Sequence, residues 1–590
     1  MIADSITPTK IYKSVKNKKW SQRSLDARMA LSIAQKTGLP YMLAEMLSSR
    51  NIHIEQVMSF LEPKLKDLLP DPFHLLDMNK AVEAIVKAVM NHSKILIFGD
   101  YDVDGATSAA LLKNYFKAIG IEVGVYIPDR ILEGYGPNIE AFQTFKKEGV
   151  DCVITVDCGT SSYEPLAVAK KLELEVIVID HHIGSLAMPE ALAIINPNRA
   201  DEISDYKYLA AVGVCFLFVT ALTTRLKSKG FFNNISEPNL FYLLDLVALG
   251  TVCDQVPLVG LNRAFVRQGL KVMKNKQNLG LRTLIEVAGI KEDVSVYHLG
   301  FTVGPRINAG GRIGQSFLGA ELLSGIDYDN AIKISRQLTM YNEERKAIEL
   351  LVLEQAMLQA ESLPKTDSMI FVIGEGWHFG VVGIIASRLK DRFNKPTAVI
   401  SLIDGVGKAS CRSISGIDFG AAVIAAKLAG LVIAGGGHSM AAGFTVRIDK
   451  INELKEFFCL SFNQLYKDIV SSSMNYFDAQ LTLNSADVAF INLIDKLGPF
   501  GNGNNQPRFL ISGVNVIKAV IVGGSHISCI LSDGVNCKIK AIAFRALDNP
   551  ISEILLSKQR FNLNLVVSLS INRWNGVESP EMIIQDLIVS

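Results

Sequence analysis

A chain of 590 residues is more than one hydrophobic core can fill, because single cores stop growing at roughly 250–300 residues, so about two to four domains are expected. With 49% hydrophobic and 20% charged residues, the composition is ordinary for a globular protein and excludes a disordered chain. Lys and Arg (60) nearly balance Asp and Glu (59), for a net charge of +1, so a basic surface for a polyanion must be offset by acidic clusters elsewhere, as when a carboxylate metal site sits in a basic groove. The 8 cysteines are scattered without a CxxC pair, which reads as buried thiols in a reducing compartment and argues against zinc–thiolate chemistry. The N-terminal basic stretch has no apolar run behind it, and no uninterrupted apolar stretch reaches the roughly 18–20 residues of a membrane span. A cytoplasmic protein with no membrane partner is expected.

Residues 1–80 read as a helical segment, with apolar residues at three- and four-residue spacing over Ser24–Lys36 and Leu39–Leu47. The basic run Lys10–Arg23 reads as a solvated face. From Lys94 the pattern becomes strand, helix, strand: Lys94–Phe98, Ala106–Ile119, Val123–Ile127, Asn138–Lys147, Cys152–Val156, Glu164–Leu172, Glu175–Ile179. Strands that are apolar throughout and separated by helices imply a parallel sheet covered on both faces, with ligands at its C-terminal edge. Helices follow at Leu209–Leu226 and Leu240–Val252, and 81–325 is assigned to this domain. Ala331–Leu363, poor in Gly and Pro, predicts a long connecting helix within 326–365. A second, smaller α/β pattern occupies 366–468: strand Met369–Ile373, helix Val381–Phe393, strand Thr397–Ser401, a glycine-rich stretch Ala434–Gly443 and helix Ile451–Lys467. Over 469–590, short β-branched runs with Gly523-Gly524 and Asp533-Gly534 turns suggest a small barrel.

Four motifs carry the chemistry. FGDYDVDG at Phe98–Gly105 places Asp100, Asp102 and Asp104 at alternate positions. TVDCG puts Asp157, and VIDHH puts Asp180, His181 and His182, just beyond apolar strands, while LGTVCD sets Asp254 near the end of an apolar helix. An Asp-rich turn or a His-His pair alone is more often structural. Three strands of one sheet that each end in Asp or His should instead bring those side chains together. Carboxylate and imidazole without thiolate suit Mn²⁺ or Mg²⁺. So many ligands exceed the needs of one ion and fit two, roughly 3.5–4 Å apart, which would activate a water near neutral pH and neutralise a phosphate under in-line attack. Phosphoester hydrolysis is the expected reaction.

These motifs resemble the DHH phosphoesterase superfamily, whose signature is Asp180-His181-His182 here, and within it the RecJ-type single-strand-specific 5′→3′ DNA exonucleases. GPRINAGGRIG (Gly304–Gly314), GEGWHFGVVGIIASR (Gly374–Arg388), CRSISG (Cys411–Gly416), GGGHSMAAG (Gly435–Gly443) and GPFGNGNNQPRF (Gly498–Phe509) extend the resemblance over nearly the whole chain. It implies a DHH catalytic domain, a DHHA1 substrate domain and an OB-fold-like single-strand-binding domain. Carried over residue by residue, Asp102, Asp104, Asp157, His181 and Asp254 are the metal ligands, with Asp157 the bridge. His182 faces the scissile phosphate, and Asp180 orients the histidines. Many superfamily members have a ligand histidine where this chain has Phe98. Asp100 is then a substitute ligand or the anchor of a metal-bound water. Arg130, Arg306 and Ser413 resemble the lining of a 5′-phosphate pocket, with Arg312 in the same glycine-rich loop as Arg306. His378, Arg412, His438 and the amides of Gly436 and Gly437 are expected along the strand. Phe500, Phe509, Phe544 and Trp574 are either stacking aromatics or core, with Lys538, Lys540 and Arg545 supplying positive charge.

The resemblance further implies two Mn²⁺ ions, with Mg²⁺ as the alternative, a monomer, and single-stranded DNA, a single-strand-binding protein and a helicase as partners. Two other readings compete: a small-substrate DHH hydrolase, which would not need the last domain, and a non-catalytic scaffold, which would have lost ligand carboxylates.

Overall fold

A computed structural model describes residues 10–130, 132–184, 186–364, 366–547, 549–557, 562–574 and 576–589. The chain forms two compact units, one of residues 70–254 and 268–472, the other of 1–69, 255–267 and 473–590.

The first unit carries two sheets. The first has five parallel strands, β1 (Ile95–Gly99), β2 (Gly124–Tyr126), β3 (Cys152–Val156), β4 (Glu175–Ile179) and β5 (Ala193–Ile195), in the order β2-β1-β3-β4-β5. β1, β3 and β5 are buried at every position, which is why they read as unbroken apolar runs. The strand order reverses between β1 and β3, the switch point where an open α/β sheet leaves a crevice at its carboxyl edge. The register then does the aligning. Gly99 lies beside Val156, and Val156 beside Ile179, so Asp100, Asp157 and Asp180 leave the sheet at one level.

Helix α1 (Val103–Ala118) starts directly at this edge and packs against α2 (Ala211–Ser228) and α3 (Leu244–Cys253). Gly105 makes that start possible, because a Cβ there would lie 2.4 Å from the carbonyl oxygen of Asp100. Among the described residues α2 is the one helix long and apolar enough to cross a membrane by length and composition, and 72% of it is buried inside the protein.

Helix α4 (Gly304–Ile313) overturns an expectation: Arg306 and Arg312 lie on a helix, not in a glycine-rich loop. Its glycines permit close packing, since a Cβ on Gly311 would sit 2.7 Å from the Tyr101 carbonyl oxygen and one on Gly304 would sit 2.4 Å from Cys253 Sγ. A π-helical turn, Leu299–Val303, feeds into it. The long helix α5 spans Tyr328–Ser362.

The second sheet comprises β6 (Ile370–Glu375), β7 (Thr397–Ile403), β8 (Val406–Arg412), β9 (Ala434–His438) and β10 (Ala441–Arg447), in the order β9-β10-β8-β7-β6, with α6 (Phe379–Phe393) and α7 (Phe419–Leu428). The glycine-rich stretch is thus a hairpin in which Gly436 faces Gly443, and β9 is an edge strand. Gly437 (φ 144°) is required there, for a Cβ would meet Ala442 Cα at 2.4 Å.

In the second unit the N-terminal segment departs from its helical reading. Tyr12–Ser14 and Lys19–Gln22 are strands, and Lys13 pairs with Val589 and Trp20 with Asn475 in a nine-stranded sheet. Helices Ala27–Thr37 and Tyr41–Ser48 cover that sheet's core through Leu43, Met46 and Leu47. Phe509–Val522 and His526–Ser532 form its long antiparallel pair, bulged at Val516/Lys518.

Candidate metal centre and anion groove

Asp157 follows β3 with φ 61°, a left-handed conformation uncommon for a non-glycine residue, and this turns its carboxylate over the sheet edge. Asp180 is buried, and its two oxygens accept from four donors: the amides of His181 (2.7 Å), His182 (3.1 Å) and Thr160 (3.0 Å), and His182 Nδ1 (2.8 Å). Three of these bonds, all to Oδ1, hold the two histidines in place, as second-sphere anchors do. His181 hydrogen-bonds to the backbone of Leu209, which leaves Nε2 aimed at the carboxylates. That nitrogen lies 3.3 Å from Asp157 Oδ1, 3.5 Å from Asp254 Oδ2 and 3.8 Å from Asp104 Oδ2.

Asp104 accepts from the amides of Ala211 (2.7 Å) and Val212 (3.0 Å), the N-terminus of α2, where a carboxylate is stabilised by unpaired amides. Asp102 caps α1 through Oδ1, accepting from the amides of Asp104 (2.8 Å) and Gly105 (3.2 Å). Asp254 is the capping residue immediately after the C-terminus of α3. Gly250 lets this helix approach, as a Cβ there would lie 2.9 Å from Asp104 Oδ1.

Three sets of donor atoms lie within 4.8 Å of one another: Asp157, His181 and His182; Asp104, His181 and Asp254; Asp100, Asp102 and Asp157. Their electrostatics demand a cation. Burial and the facing carboxylates push the acids of Asp100, Asp157 and Asp254 far above the usual carboxylate range, and that of Asp104 up to about 7. Asp100 Oδ1, Asp157 Oδ1, Asp254 Oδ2 and His181 Nε2 are all buried with no hydrogen-bond partner. Inward-aimed oxygens and an imidazole nitrogen left unsatisfied together are what divalent-cation ligands look like. Burial pushes the His181 imidazole down to about 4, so it presents a neutral ring. For His182, burial acts downward but is outweighed by the hydrogen bond and charge of Asp180, which hold the imidazolium up to about 9. Tyr135 completes this wall, its hydroxyl donating to the Asp157 carbonyl (3.2 Å) and lying 3.4 Å from His182 Nδ1.

Beside these acids lie Arg130, Arg312 and Arg412, while Arg306 is not brought into contact with them. Arg130 stands over the rings of Tyr101 (5.0 Å) and Phe379 (5.8 Å). Burial, with Arg130 and Arg345 nearby, drags Arg312 down to about 10, and its Nη1 donates to the Gly380 carbonyl (3.1 Å). Arg412 is lowered by burial and by Arg130. Arg306 is anchored on the Thr302 carbonyl (2.6 Å) and Thr339 Oγ1 (3.3 Å). None of these four has a carboxylate ion-pair partner among the described residues. His378 caps α6 by accepting from the Gly380 amide (3.1 Å). On β9, His438 and Gly437 are exposed and Gly436 opens onto free space.

Ser413 does not join them. It is wholly buried, and its hydroxyl donates to the Ile417 carbonyl (2.6 Å). The hydroxyl beside the arginines is that of Ser410, 3.3 Å from Arg412 Nη1. The strand period explains this, because Ser410 and Arg412 share one face of β8 whereas Ser413 lies beyond its end. Ser410, Tyr135 and Arg345 were missed in the sequence because nothing local marks them. An alternating reading of Val406–Arg412 would have found the first. Of the aromatics assigned to the last domain, Phe509 is fully buried against Phe490 (5.7 Å) and Phe500 packs on the same core, so both are structural. Phe544 is 53% exposed, and the side chain of Trp574 lies outside the described residues.

Family models match in the same order. The DHH family, N-terminal domain covers 94–251, the DHHA1 domain 366–464 and the RecJ OB domain 477–586. The single-stranded-DNA-specific exonuclease RecJ of Salmonella typhimurium is 33% identical over 587 residues, 96% of this chain and 99% of that protein. RecJ of Thermus thermophilus in complex with Mn²⁺ superposes with a TM-score of 0.78 at 26% identity, covering 96% of this chain and 79% of that one. Its Mg²⁺ complex gives 0.73 at 25% identity over 97% and 78%. With its three domains matched in sequence order and nearly the full length of a relative aligned at that identity, the chain belongs to the RecJ family of single-stranded-DNA-specific exonucleases.

Proposed function

We propose that this chain is a metal-dependent exonuclease that degrades single-stranded DNA from its 5′ end to 5′-mononucleotides, acting as a monomer in DNA recombination and repair. One observation carries the reading: four unsatisfied, buried metal-donor atoms lie beside arginines that have no carboxylate ion-pair partner among the described residues. Asp102, Asp104, Asp157, His181 and Asp254 would hold divalent cations, Mn²⁺ foremost and Mg²⁺ second. Such cations supply an activated water and neutralise the phosphate oxygens.

The chain's own residues do the rest. His182, kept protonated by Asp180, donates to the scissile phosphate and can protonate the departing 3′ oxygen of the terminal nucleotide. Guanidinium forks of Arg130, Arg312 and Arg412, with Ser410, suit the terminal phosphate. Each cut creates a new 5′ phosphate for the same pocket, which gives the direction. The edge strand at Gly436–His438 offers backbone amides to the strand that follows. On the C-terminal sheet, exposed Phe544 with Lys538 and Arg545 can stack and hold bases. A helicase and a single-strand-binding protein would supply such strands in the cytoplasm.

Digestion of 5′- or 3′-blocked strands with Mn²⁺ tests this. A 5′ block should slow release at least tenfold, a 3′ block should not, and chelation should abolish activity. Equal attack from both ends, or faster cleavage of dinucleotides than of long strands, overturns it.

A further inference from the structure

Arg306 stands apart from the other arginines, and its surroundings are aromatic. Nη1 donates to the Thr302 carbonyl (2.6 Å) and Nε to Thr339 Oγ1 (3.3 Å). Two of the five donors of a guanidinium are thereby used, and Nη2 has no partner among the described residues.

Thr302 belongs to the π-helical turn Leu299–Val303. Leu299 and Val303, on its inner side, are wholly buried. The Leu299 carbonyl accepts from Cys253 Sγ (3.4 Å), which seats the turn on the end of α3, one residue before Asp254. On the outer side Phe301, 72% exposed, stacks on Tyr297, 65% exposed, with ring centroids 5.1 Å apart and planes at 26°. Residues four apart are offset around an α-helix, and the wider π turn brings them closer to one line, which lets the rings stack. The short helix that carries Tyr297 is fixed in turn. Ser295 Oγ accepts from the His298 amide (3.4 Å), and His298 Nε2 lies 3.1 Å from Glu292. A single exposed apolar side chain is ordinary, but two stacked rings built onto a rare turn, with a guanidinium one turn further on, are a surface with a purpose.

We propose that Tyr297, Phe301 and Arg306 form a nucleotide subsite separate from the terminal-phosphate pocket, with one base of the strand stacked on the aromatic pair and its phosphate on Arg306. The inference rests on the single-strand reading above. An aromatic face takes any base, and a guanidinium suits its phosphate. The seat on Cys253 makes the subsite continuous with the metal centre. Arg130, Arg312 and Arg412 take the terminal phosphate, so a strand that enters 5′ end first brings only a later phosphate to Arg306. The stacked nucleotide therefore lies on the 3′ side of the scissile bond. Inside a duplex both faces of a base are covered by its neighbours, so the subsite favours unpaired strands.

The test walks 2-aminopurine, and separately an abasic position, along a 5′-phosphorylated strand bound to the full chain with the metal chelated, so that nothing is cut. Fluorescence should be quenched at least twofold at one internal position, and Phe301→Ala should release that quenching. An abasic residue at the same position should raise Kd about tenfold for the unaltered chain and add nothing in Phe301→Ala. Phe301→Trp should keep the affinity, whereas Phe301→Leu should lose it, because bulk without a π face does not stack. The urea midpoint should stay put in both, since the ring is exposed. Arg306→Gln should lower the salt slope of binding by about one, which Phe301→Ala should not. If Phe301→Ala releases no quenched position, or the abasic penalty persists in full in that variant, the subsite is wrong. Quenching by a chain that cuts no strand would overturn the nuclease reading and leave the subsite standing. Digestion from the 5′ end without such quenching would do the reverse.

Discussion

At the scale of single residues, Ser410 and Ser413 flank Arg412 and do different work. Both lie within three residues of Arg412, and only the alternation of β8 tells them apart. Ser410 stands half-buried on the arginine face, while Ser413 locks the turn before α7 through the Ile417 carbonyl and the Met440 backbone. Removing the hydroxyl therefore has different consequences at the two sites. Ser410→Ala should raise KM for 5′-phosphorylated strands about threefold to tenfold with kcat nearly unchanged, the loss of one charge-assisted hydrogen bond being worth about 1 kcal/mol. Ser413→Ala should leave KM alone and lower the urea midpoint, because a buried carbonyl loses its donor. Steady-state kinetics beside urea denaturation of the two variants separates these roles, and a KM change confined to Ser413→Ala would reverse the assignment.

At the scale of elements, the catalytic sheet was legible because each of its longer strands is buried on both faces and so reads as an apolar run ended by its functional residue. Asp157 and Asp180 could be aligned in the sequence for that reason alone. Helix α4 was not legible, since glycine disfavours helices intrinsically. Close approach to Tyr101 and Cys253 overrides that preference, and such a contact is invisible in a local window. The long helix α5 was found by its length, but not what fixes it. Glu349, 2% exposed, accepts Arg345 from its own helix and Arg388 from α6. Arg345 also bonds Asn342 and lies near Arg312, so Glu349 positions one edge of the arginine cluster. Glu349→Gln removes the charge that both guanidiniums answer. It should cost roughly 2 kcal/mol of stability, less than a fully buried pair would because the Arg388 head is partly solvated. KM for single strands should also rise more than kcat falls. Thermal unfolding with single-turnover kinetics reads both, and an unchanged KM would reduce Glu349 to a purely structural link.

At the scale of the whole molecule, domains read along the sequence do not coincide with what packs together. The segment 1–80 was expected as a separate helical region, yet residues 1–69 cluster with 255–267 and 473–590. The reason is non-local pairing. Strands of three and four residues carry almost no periodic signal, and their partners, such as Val589 for Lys13, lie at the other end of the chain. The junction is specified by Trp20, 3% exposed, whose Nε1 donates to Asp586 Oδ2 at 2.9 Å, with Asp586 itself 1% exposed. Trp20→Phe leaves that oxygen buried without a donor and removes apolar contact with Phe477, Leu510, Val566 and Ile588. A loss of about 2–3 kcal/mol is expected from an unsatisfied buried carboxylate oxygen. Residues 473–590 produced alone would also lack Leu43, Met46, Leu47 and Val57 from their core and would expose the strand edge that Tyr12–Ser14 covers. That fragment should be insoluble by itself and recovered as a soluble complex when residues 1–69 are co-produced. A soluble, cooperatively melting 473–590 fragment, together with an unshifted urea transition in Trp20→Phe, would mean that the N-terminal strands decorate this sheet without stabilising it.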